Sequence, residues 1–96
     1  MARVEVSRSA AADLDRLIQT HSLPKNTKQR FKRAVRPLGR IPRLGPELAG
    51  RWSGFRFVLG PWRWMLVVYF HFENEDRVVI VTIQDARSSR AARAGN

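Results

Sequence analysis

The feature that most constrains the fold is an alternating pattern in the second half of the chain. Every second residue from Trp62 to Phe72 is apolar, and residues 77–84 are rich in β-branched side chains. Alternation at period two is typical of a strand with one buried face. The polar residues 74–76 between the two runs predict a hairpin turn. The sequence therefore predicts a long strand over 62–73 that pairs with a strand over 77–84.

The start of the chain has the spacing of a short strand followed by a helix. Residues 3–7 alternate charged and β-branched side chains, which predicts a half-buried strand. Ser7 is then a candidate helix N-cap, with Ser9 as the alternative. From Ala10 onward apolar residues recur at helical spacing, and Leu23-Pro24 is expected to close this helix.

A second helix is expected to begin at its candidate N-cap Asn26 and to bend or end at Pro37. Glycines and prolines over 39–46 indicate an irregular crossing, after which residues 55–59 predict a further short strand. The order is therefore β-α-α-β-β-β. This order predicts an α+β fold with an antiparallel-rich sheet and both helices packed on one face.

Alternation also predicts which side of the sheet the helices cover. The wholly apolar side of the long strand is expected to face them, together with Val79, Val81 and Ile83 of the last strand. A bulge would shift these sets, because a slip of one residue exchanges the faces. The opposite, uncovered face is then expected to gather Arg56, Arg63, Tyr69, His71, Thr82 and Gln84, with Arg87 just beyond.

Composition narrows the class of protein. With 96 residues the chain is long enough for one domain, and its Ala/Arg/Ser-rich end over 88–96 is expected to be a flexible tail. The absence of Cys excludes disulfides and cysteine zinc sites, and with two His residues neither a metal nor a cofactor is expected. No apolar run approaches the length of a membrane span, and no secretion signal is apparent, so an intracellular protein without membrane contact is expected.

Charge points to an anionic partner. The chain has 18 Lys+Arg against 8 Asp+Glu, a net charge of +10, and its segment 16–46 has nine basic residues and no acidic one. A surface that serves only solubility usually mixes acidic and basic residues, which then form ion pairs. A segment with basic residues alone lacks these pairs, which favours contact with a polyanion. The predicted RNA-binding residues are Lys25, Lys28, Arg30, Lys32, Arg33, Arg36, Arg40 and Arg43.

The uncovered face also suggests chemistry. Arg56, Arg63 and Arg87 could hold a phosphate and stabilise the charge that develops on it in a transition state. His71 or Tyr69 could then move a proton. The same residues could instead stack bases without any reaction, or His71 could be an ordinary surface residue of the strand.

Several short motifs follow one another along the chain. They are Val6-Ser7 with Ala10-x-x-Asp13-Leu14, Pro42-x-x-Gly45-x-Glu47-Leu48-x-Gly50, Phe55-Arg56, Gly60-x-Trp62-Arg63, Val67-Val68-Tyr69 and Val79-Ile80-Val81-x-Ile83-x-x-x-Arg87. In this order and spacing they resemble the RelE/ParE superfamily of bacterial toxins. By position, Arg63 resembles the family's central-strand Arg and Arg87 the Arg after the last strand, while Arg56 takes the place of a basic residue on the preceding strand. The family's Arg usually stands three residues before the Tyr, whereas Arg63 precedes Tyr69 by six. The tail has no Tyr or His as a late acid or base.

The resemblance implies a toxin neutralised by a partly disordered antitoxin in a hetero-oligomeric complex. RelE-like members cut mRNA on the ribosome through the ribose 2′-OH, and ParE-like members poison DNA gyrase. The excess of basic residues favours a ribosome-dependent endoribonuclease that acts on mRNA, with an acidic antitoxin as its partner. The alternatives are a non-enzymatic gyrase inhibitor and an RNA-binding module without toxicity.

Overall fold

A computed structural model describes residues 1–87, and the predicted flexible tail over 88–96 lies outside this part of the chain. The elements are β1 (Arg3–Val6), α1 (Arg8–Thr20), α2 (Thr27–Val35), β2 (Arg56–Leu59), β3 (Met65–Phe72) and β4 (Arg77–Asp85). The predicted α+β class and the β-α-α-β-β-β order are confirmed. Among the described residues, no helix has both the length and the apolar character needed to cross a membrane.

The four strands form one mixed sheet in the order β1-β4-β3-β2. β1 runs parallel to β4, whereas β3 is antiparallel to both of its neighbours. The parallel pair arises because both helices lie between β1 and the rest of the sheet in the sequence, so the chain can return in the same direction. β3 and β4 therefore form the centre of the sheet.

The helix boundaries follow local capping chemistry. The Ser7 hydroxyl accepts a hydrogen bond from the Ala10 backbone N–H at 3.1 Å, so Ser7 is the N-cap of α1. Asn26 occupies the N-cap position of α2 but makes no side-chain capping bond. The Thr27 hydroxyl instead donates to the Pro24 carbonyl at 2.6 Å. Pro37 follows α2 in a short 3₁₀ turn, which agrees with its predicted role in ending the helix.

The predicted assignment of the sheet faces was wrong. The helices pack on the side of β3 that carries Met65, Val67 and Tyr69, each with no exposed surface. The other side of β3, with Leu66 and Val68, is covered by Leu48 and by partly buried aromatics of the segment before β2. Because residues 65–70 are apolar on both sides, alternation could not distinguish the helix side from the loop side.

A β-bulge shifts the face set of β4. Tyr69 pairs with Ile80 but Val68 pairs with Thr82, so Val81 is the extra residue. Val78, Ile80 and Ile83 therefore share the helix side, in place of the predicted Val79, Val81 and Ile83. Beyond the end of β1, the Asp13 carboxylate of α1 accepts hydrogen bonds from the Thr82 hydroxyl at 2.7 Å and the Ile83 N–H at 3.1 Å.

The predicted long strand also begins later than expected. Residues 62–64 form a tight loop, in which the Gly60 N–H donates to the Met65 carbonyl and the Met65 N–H donates to the Trp62 carbonyl. Pro61 cannot donate to a sheet ladder, which favours a turn at this point. Arg63 therefore lies in the loop between β2 and β3 and is exposed, rather than on the sheet.

Candidate functional site

Arg56 and His71 lie together at one end of the sheet, where β2 begins and β3 ends. Arg56 is the register partner of Tyr69, and its guanidinium donates to the Gly45 carbonyl at 2.8 Å and to the Glu47 carboxylate at 3.3 Å. His71 pairs with Val78 in β4. Arg56 and His71 line a cleft of about 560 Å³. The His71 Nδ1 atom is buried with no hydrogen-bond partner among the described residues.

The cleft at Arg56 and His71 carries both signs of charge. Arg43 donates a hydrogen bond to Glu73 across its mouth, and this bond, with the Arg43 charge, lowers the pKa of the Glu73 carboxyl. Phe70 and Phe72 contribute aromatic surface to the lining. Because each guanidinium is held beside a carboxylate of the same chain, the cleft is not an open field of positive charge.

Tyr69 does not lie on an uncovered face, contrary to the prediction. Its ring has no exposed surface, and its hydroxyl donates to the Pro42 carbonyl at 2.7 Å while accepting from the Gly45 N–H at 3.0 Å. Burial raises the pKa of this hydroxyl above its usual value, because the phenolate is poorly solvated inside the protein. The observed contacts make Tyr69 an anchor for the loop that crosses over β2.

Replacing Tyr69 with Phe should lower stability while leaving the site chemistry intact. The change leaves the Gly45 N–H and the Pro42 carbonyl without their buried partner, which costs about 1–3 kcal/mol. Urea denaturation would measure the loss, and growth arrest by the induced protein would measure the toxicity that the resemblance to RelE/ParE proteins implies. Arrest that persists in Tyr69→Phe at a permissive temperature agrees with the anchoring role, whereas loss of arrest with unchanged stability would contradict it.

Arg87 lies at the opposite end of the sheet, just after β4. Its guanidinium donates to both Asp85 carboxylate oxygens at 3.0 Å and stands 5.0 Å from the centroid of the Trp64 ring. The His21 ring stacks on Trp64 at 4.5 Å, and its Nε2 lies 3.2 Å from Asp85. Asp85 thus links the end of β4 to the end of α1.

The Asp85 carboxyl should make the free energy of unfolding depend on pH under acidic conditions. Hydrogen bonds from Arg87, aided by one from His21, lower the pKa of Asp85 to about 2. A depressed folded-state pKa stabilises the protein above the unfolded-state pKa, and this contribution is lost as the pH falls from about 5 toward 2. The Asp85 side chain is 21% exposed, so solvent partly screens its ion pair. We expect the carboxylate to contribute about 1–2 kcal/mol to the free energy of unfolding at neutral pH.

The measurement is the urea midpoint of the wild type and Asp85→Asn between pH 7 and pH 2. The two midpoints should differ at pH 7 and converge in acid. A difference that stays constant over the whole range would show that the carboxylate charge contributes nothing.

The predicted catalytic set is therefore divided. Arg56 and His71 share the cleft, while Arg87 lies beside Asp85, the register partner of Met65, at the other end. Arg63 stands in the loop before Met65. His71 and Met65 are six residues apart on β3, or about 20 Å at the usual rise of a strand. The prediction that these side chains form one cluster is wrong, because Arg63 lies outside the observed strand β3 and the other residues stand at opposite ends of the sheet.

The basic segment is exposed as the charge pattern predicts. All eight predicted RNA-binding residues, from Lys25 to Arg43, lie at the surface. Lys28 pairs with Asp15 at 3.1 Å, and Arg43 pairs with Glu73. Within residues 1–87, the other six have no carboxylate within ion-pair distance. Their contact with RNA stays a prediction.

Sequence reasoning missed four side chains at these two ends: His21, Glu47, Trp64 and Asp85. Two signals could have located Asp85, because it stands two residues before Arg87 and at the end of a strand. No sequence signal joins His21 to Trp64, since they meet only through tertiary packing. In the described part of the chain, no group of three or more His, Cys, Asp or Glu could hold a metal ion.

Solved structures share this fold. A metal-bound toxin from Helicobacter pylori has a TM-score of 0.67 and 21% identity, covering 88% of this chain and 94% of that chain. A chain of the chromosomal ParDE TA system from P. aeruginosa has a TM-score of 0.66 and 21% identity over 88% of this chain and 96% of that one. A chain of the intact E. coli RelBE toxin–antitoxin complex has a TM-score of 0.65 and 10% identity, with coverages of 92% and 100%.

The chain thus has the small α+β fold of these RelE/ParE-like structures. Residues 4–90 match the family described as the ParE toxin of type II toxin-antitoxin system, parDE, and the chain belongs to this family. No curated protein sequence matches the chain. The predicted superfamily is confirmed, and with it the general role of a toxin in a type II toxin–antitoxin system.

Proposed function

We propose that this toxin arrests growth by binding DNA gyrase without cutting a nucleic acid. The observation that carries the proposal is the separation of the predicted catalytic residues. A ribonuclease needs a base at the 2′-OH, an acid at the leaving oxygen and a cation at the phosphate, all around one phosphodiester. Arg87 follows Asp85, the register partner of Met65, and Met65 and His71 are six residues apart on β3, or about 20 Å along the strand. This placement at opposite ends of the sheet argues against action of Arg87 and His71 on the same phosphate.

The pairing of the arginines supports the same proposal. Arg56 is engaged with Glu47 and Arg87 with Asp85. A guanidinium that already neutralises a carboxylate of its own chain stabilises developing charge on a substrate less well. Tyr69, the other predicted proton carrier, is buried. A toxin that acts by binding needs none of these groups free, and the ParE family match favours this mode of action.

We also propose that an acidic antitoxin holds the toxin in a hetero-oligomeric complex. Support comes from the RelBE and ParDE toxin–antitoxin structures that share the fold, and from the net charge of +10. An acidic, partly disordered chain would fold as it covers the basic surface. A basic co-purified partner would contradict this part of the proposal.

Ribosome-dependent mRNA cleavage is the second candidate, and one observation favours it. Arg56 and His71 line the same cleft, with Glu47 beside Arg56. In this candidate the cleft brings a phosphate, a proton acceptor and a proton donor together. In this candidate Arg63 and Arg87 take no part in catalysis.

The test compares both targets with the same purified protein. We expect inhibition of gyrase supercoiling and accumulation of cleaved DNA complexes, with primer extension showing intact mRNA during translation. The His71→Asn and Arg56→Gln variants should inhibit gyrase as the wild type does. Codon-phased cuts in the message that vanish in His71→Asn, with gyrase unaffected by the wild type, would overturn the proposal and establish the second candidate.

A further inference from the structure

A groove with an apolar floor lies within the basic segment. It is formed where α2 passes into the following 3₁₀ turn, and its volume is about 470 Å³. The residues that line it are Met1, Arg33, Arg36, Pro37, Arg40 and Ile41. It is separate from the cleft at Arg56 and from the cluster at Arg87.

Three arginines form the rim of this groove on one side of the helical segment. Arg33, Arg36 and Arg40 are spaced so that they fall in one stripe, opposite the buried Phe31 and Val35. Within residues 1–87, none of the three has a carboxylate within ion-pair distance. Like charges at this spacing repel one another. Carboxylates of a partner would reduce this repulsion and would also form charged hydrogen bonds with the guanidinium groups.

The floor of the groove is apolar where a solvated surface would be polar. Ile41 is 53% exposed, and its N–H donates to the Pro37 carbonyl at 2.9 Å, which holds the two side chains in one turn. Leu44, the next large apolar residue along the chain, is 50% exposed. Aliphatic surface beside unpaired arginines suits a protein segment, because a phosphodiester backbone has no aliphatic group to place there.

We infer that this groove binds an acidic segment of the antitoxin through an apolar anchor residue. The anchor lies on Ile41 and Pro37, and flanking carboxylates pair with Arg33, Arg36 and Arg40. The inference rests on the toxin–antitoxin partnership proposed above and is independent of the gyrase target. It assigns the groove to a protein partner and leaves nucleic acid as the competing occupant.

The test uses three probes with the full-length toxin. One is a labelled peptide of about 15 residues, rich in Glu, with two Leu one helical turn apart so that they share a face. The second peptide has both Leu replaced by Ser, and the third probe is a single-stranded oligonucleotide of the same net charge. Binding is measured by fluorescence anisotropy for the wild type, Ile41→Ser, Arg36→Ala/Arg40→Ala, and the control Lys25→Ala/Lys32→Ala.

We expect the Leu-containing peptide to bind best. Ile41→Ser should weaken the affinity for the Leu-containing peptide roughly 10-fold, the usual size for loss of one buried aliphatic contact. The affinities for the Ser peptide and the oligonucleotide should stay unchanged. Arg36→Ala/Arg40→Ala should weaken the Leu peptide more than the control double variant does, although both variants remove two charges. Equal affinity for both peptides, no effect of Ile41→Ser, or preferential binding of the oligonucleotide through Arg36 and Arg40 would overturn the inference.

The gyrase assay separates this inference from the proposed target. Ile41→Ser should inhibit supercoiling as the wild type does, because the groove is assigned to the antitoxin. If the wild type leaves gyrase unaffected while the peptide results hold, the gyrase proposal fails and the groove assignment stands. If gyrase is inhibited but the peptide results fail, only the groove assignment is wrong.

Discussion

Replacing Phe31 with Ala should lower the free energy of unfolding by about 3–5 kcal/mol, the usual cost of truncating a buried Phe. Phe31 is 2% exposed and belongs to the core between α2 and the sheet. Small domains have only about 5–15 kcal/mol of net stability, so this single change could remove much of it. Because α2 carries the basic stripe on its outer side, loosening its inner side should also disturb the groove at Arg36.

Lys32→Ala is the matched control for Phe31→Ala. Lys32 is the neighbouring helical residue and is exposed, so its truncation should change stability by no more than about 0.5 kcal/mol. Chemical denaturation followed by tryptophan fluorescence measures both variants. A cost below about 1 kcal/mol for Phe31→Ala would mean that α2 is not packed on the sheet as described.

Gly45→Ala is expected to destabilise the protein by about 3 kcal/mol or more, through a backbone collision and lost hydrogen bonds. A Cβ atom at Gly45 would stand 1.9 Å from the Phe57 carbonyl oxygen, which belongs to the backbone of β2 and cannot rotate away. The forced shift would break the bonds that Gly45 makes to the Tyr69 hydroxyl and the Arg56 guanidinium. Both Arg56 and the loop that borders the cleft should then lose their fixed positions.

Gly54→Ala provides the comparison for Gly45→Ala. Gly54 has a φ of +94°, which disfavours Ala, but a Cβ there would meet only a Phe70 ring atom at 3.9 Å. It should therefore cost only about 1 kcal/mol, from backbone conformation alone. Thermal unfolding of the two variants tests the difference, and an equal or larger loss in Gly54→Ala would show that steric contact at Gly45 is unimportant.

Local chemistry explains which parts of the fold were predictable. Ser7 caps α1 through a bond to a residue three positions away, and Pro37 ends α2 through its own ring. Both effects depend on neighbours in the sequence, so pattern reasoning locates them. The order of strands and helices follows for the same reason.

The face of the sheet could not be assigned by the same reasoning. Period two identifies which residues share a side, but both sides of β3 over 65–70 are apolar. The choice depends on whether the helices or the segment around Leu48 packs on a given side. The bulge at Val81 also exchanges the two faces within β4, and no residue type in β4 predicts this bulge.

The candidate sites show the same division. The exposure of the basic segment was predictable, because a run of cations without acids cannot be buried. The pairing of Arg56 with Glu47 and the stacking of His21 on Trp64 were not, since each joins residues on different elements. The Arg56–Glu47 pair lies at one end of the sheet, and the His21–Trp64 stack lies at the other end beside Arg87. The predicted single cluster of arginines is therefore two separate sites.

The sequence by itself determined the element order, the resemblance to the RelE/ParE superfamily and the placement of positive charge on α2, because these depend on residue type and short-range spacing. Only the tertiary structure decided that Tyr69 is an internal anchor, that Arg87 and His71 lie apart, and that an apolar groove opens among the arginines. Those outcomes depend on strand register and on long-range packing, where one shifted residue changes which side chains meet.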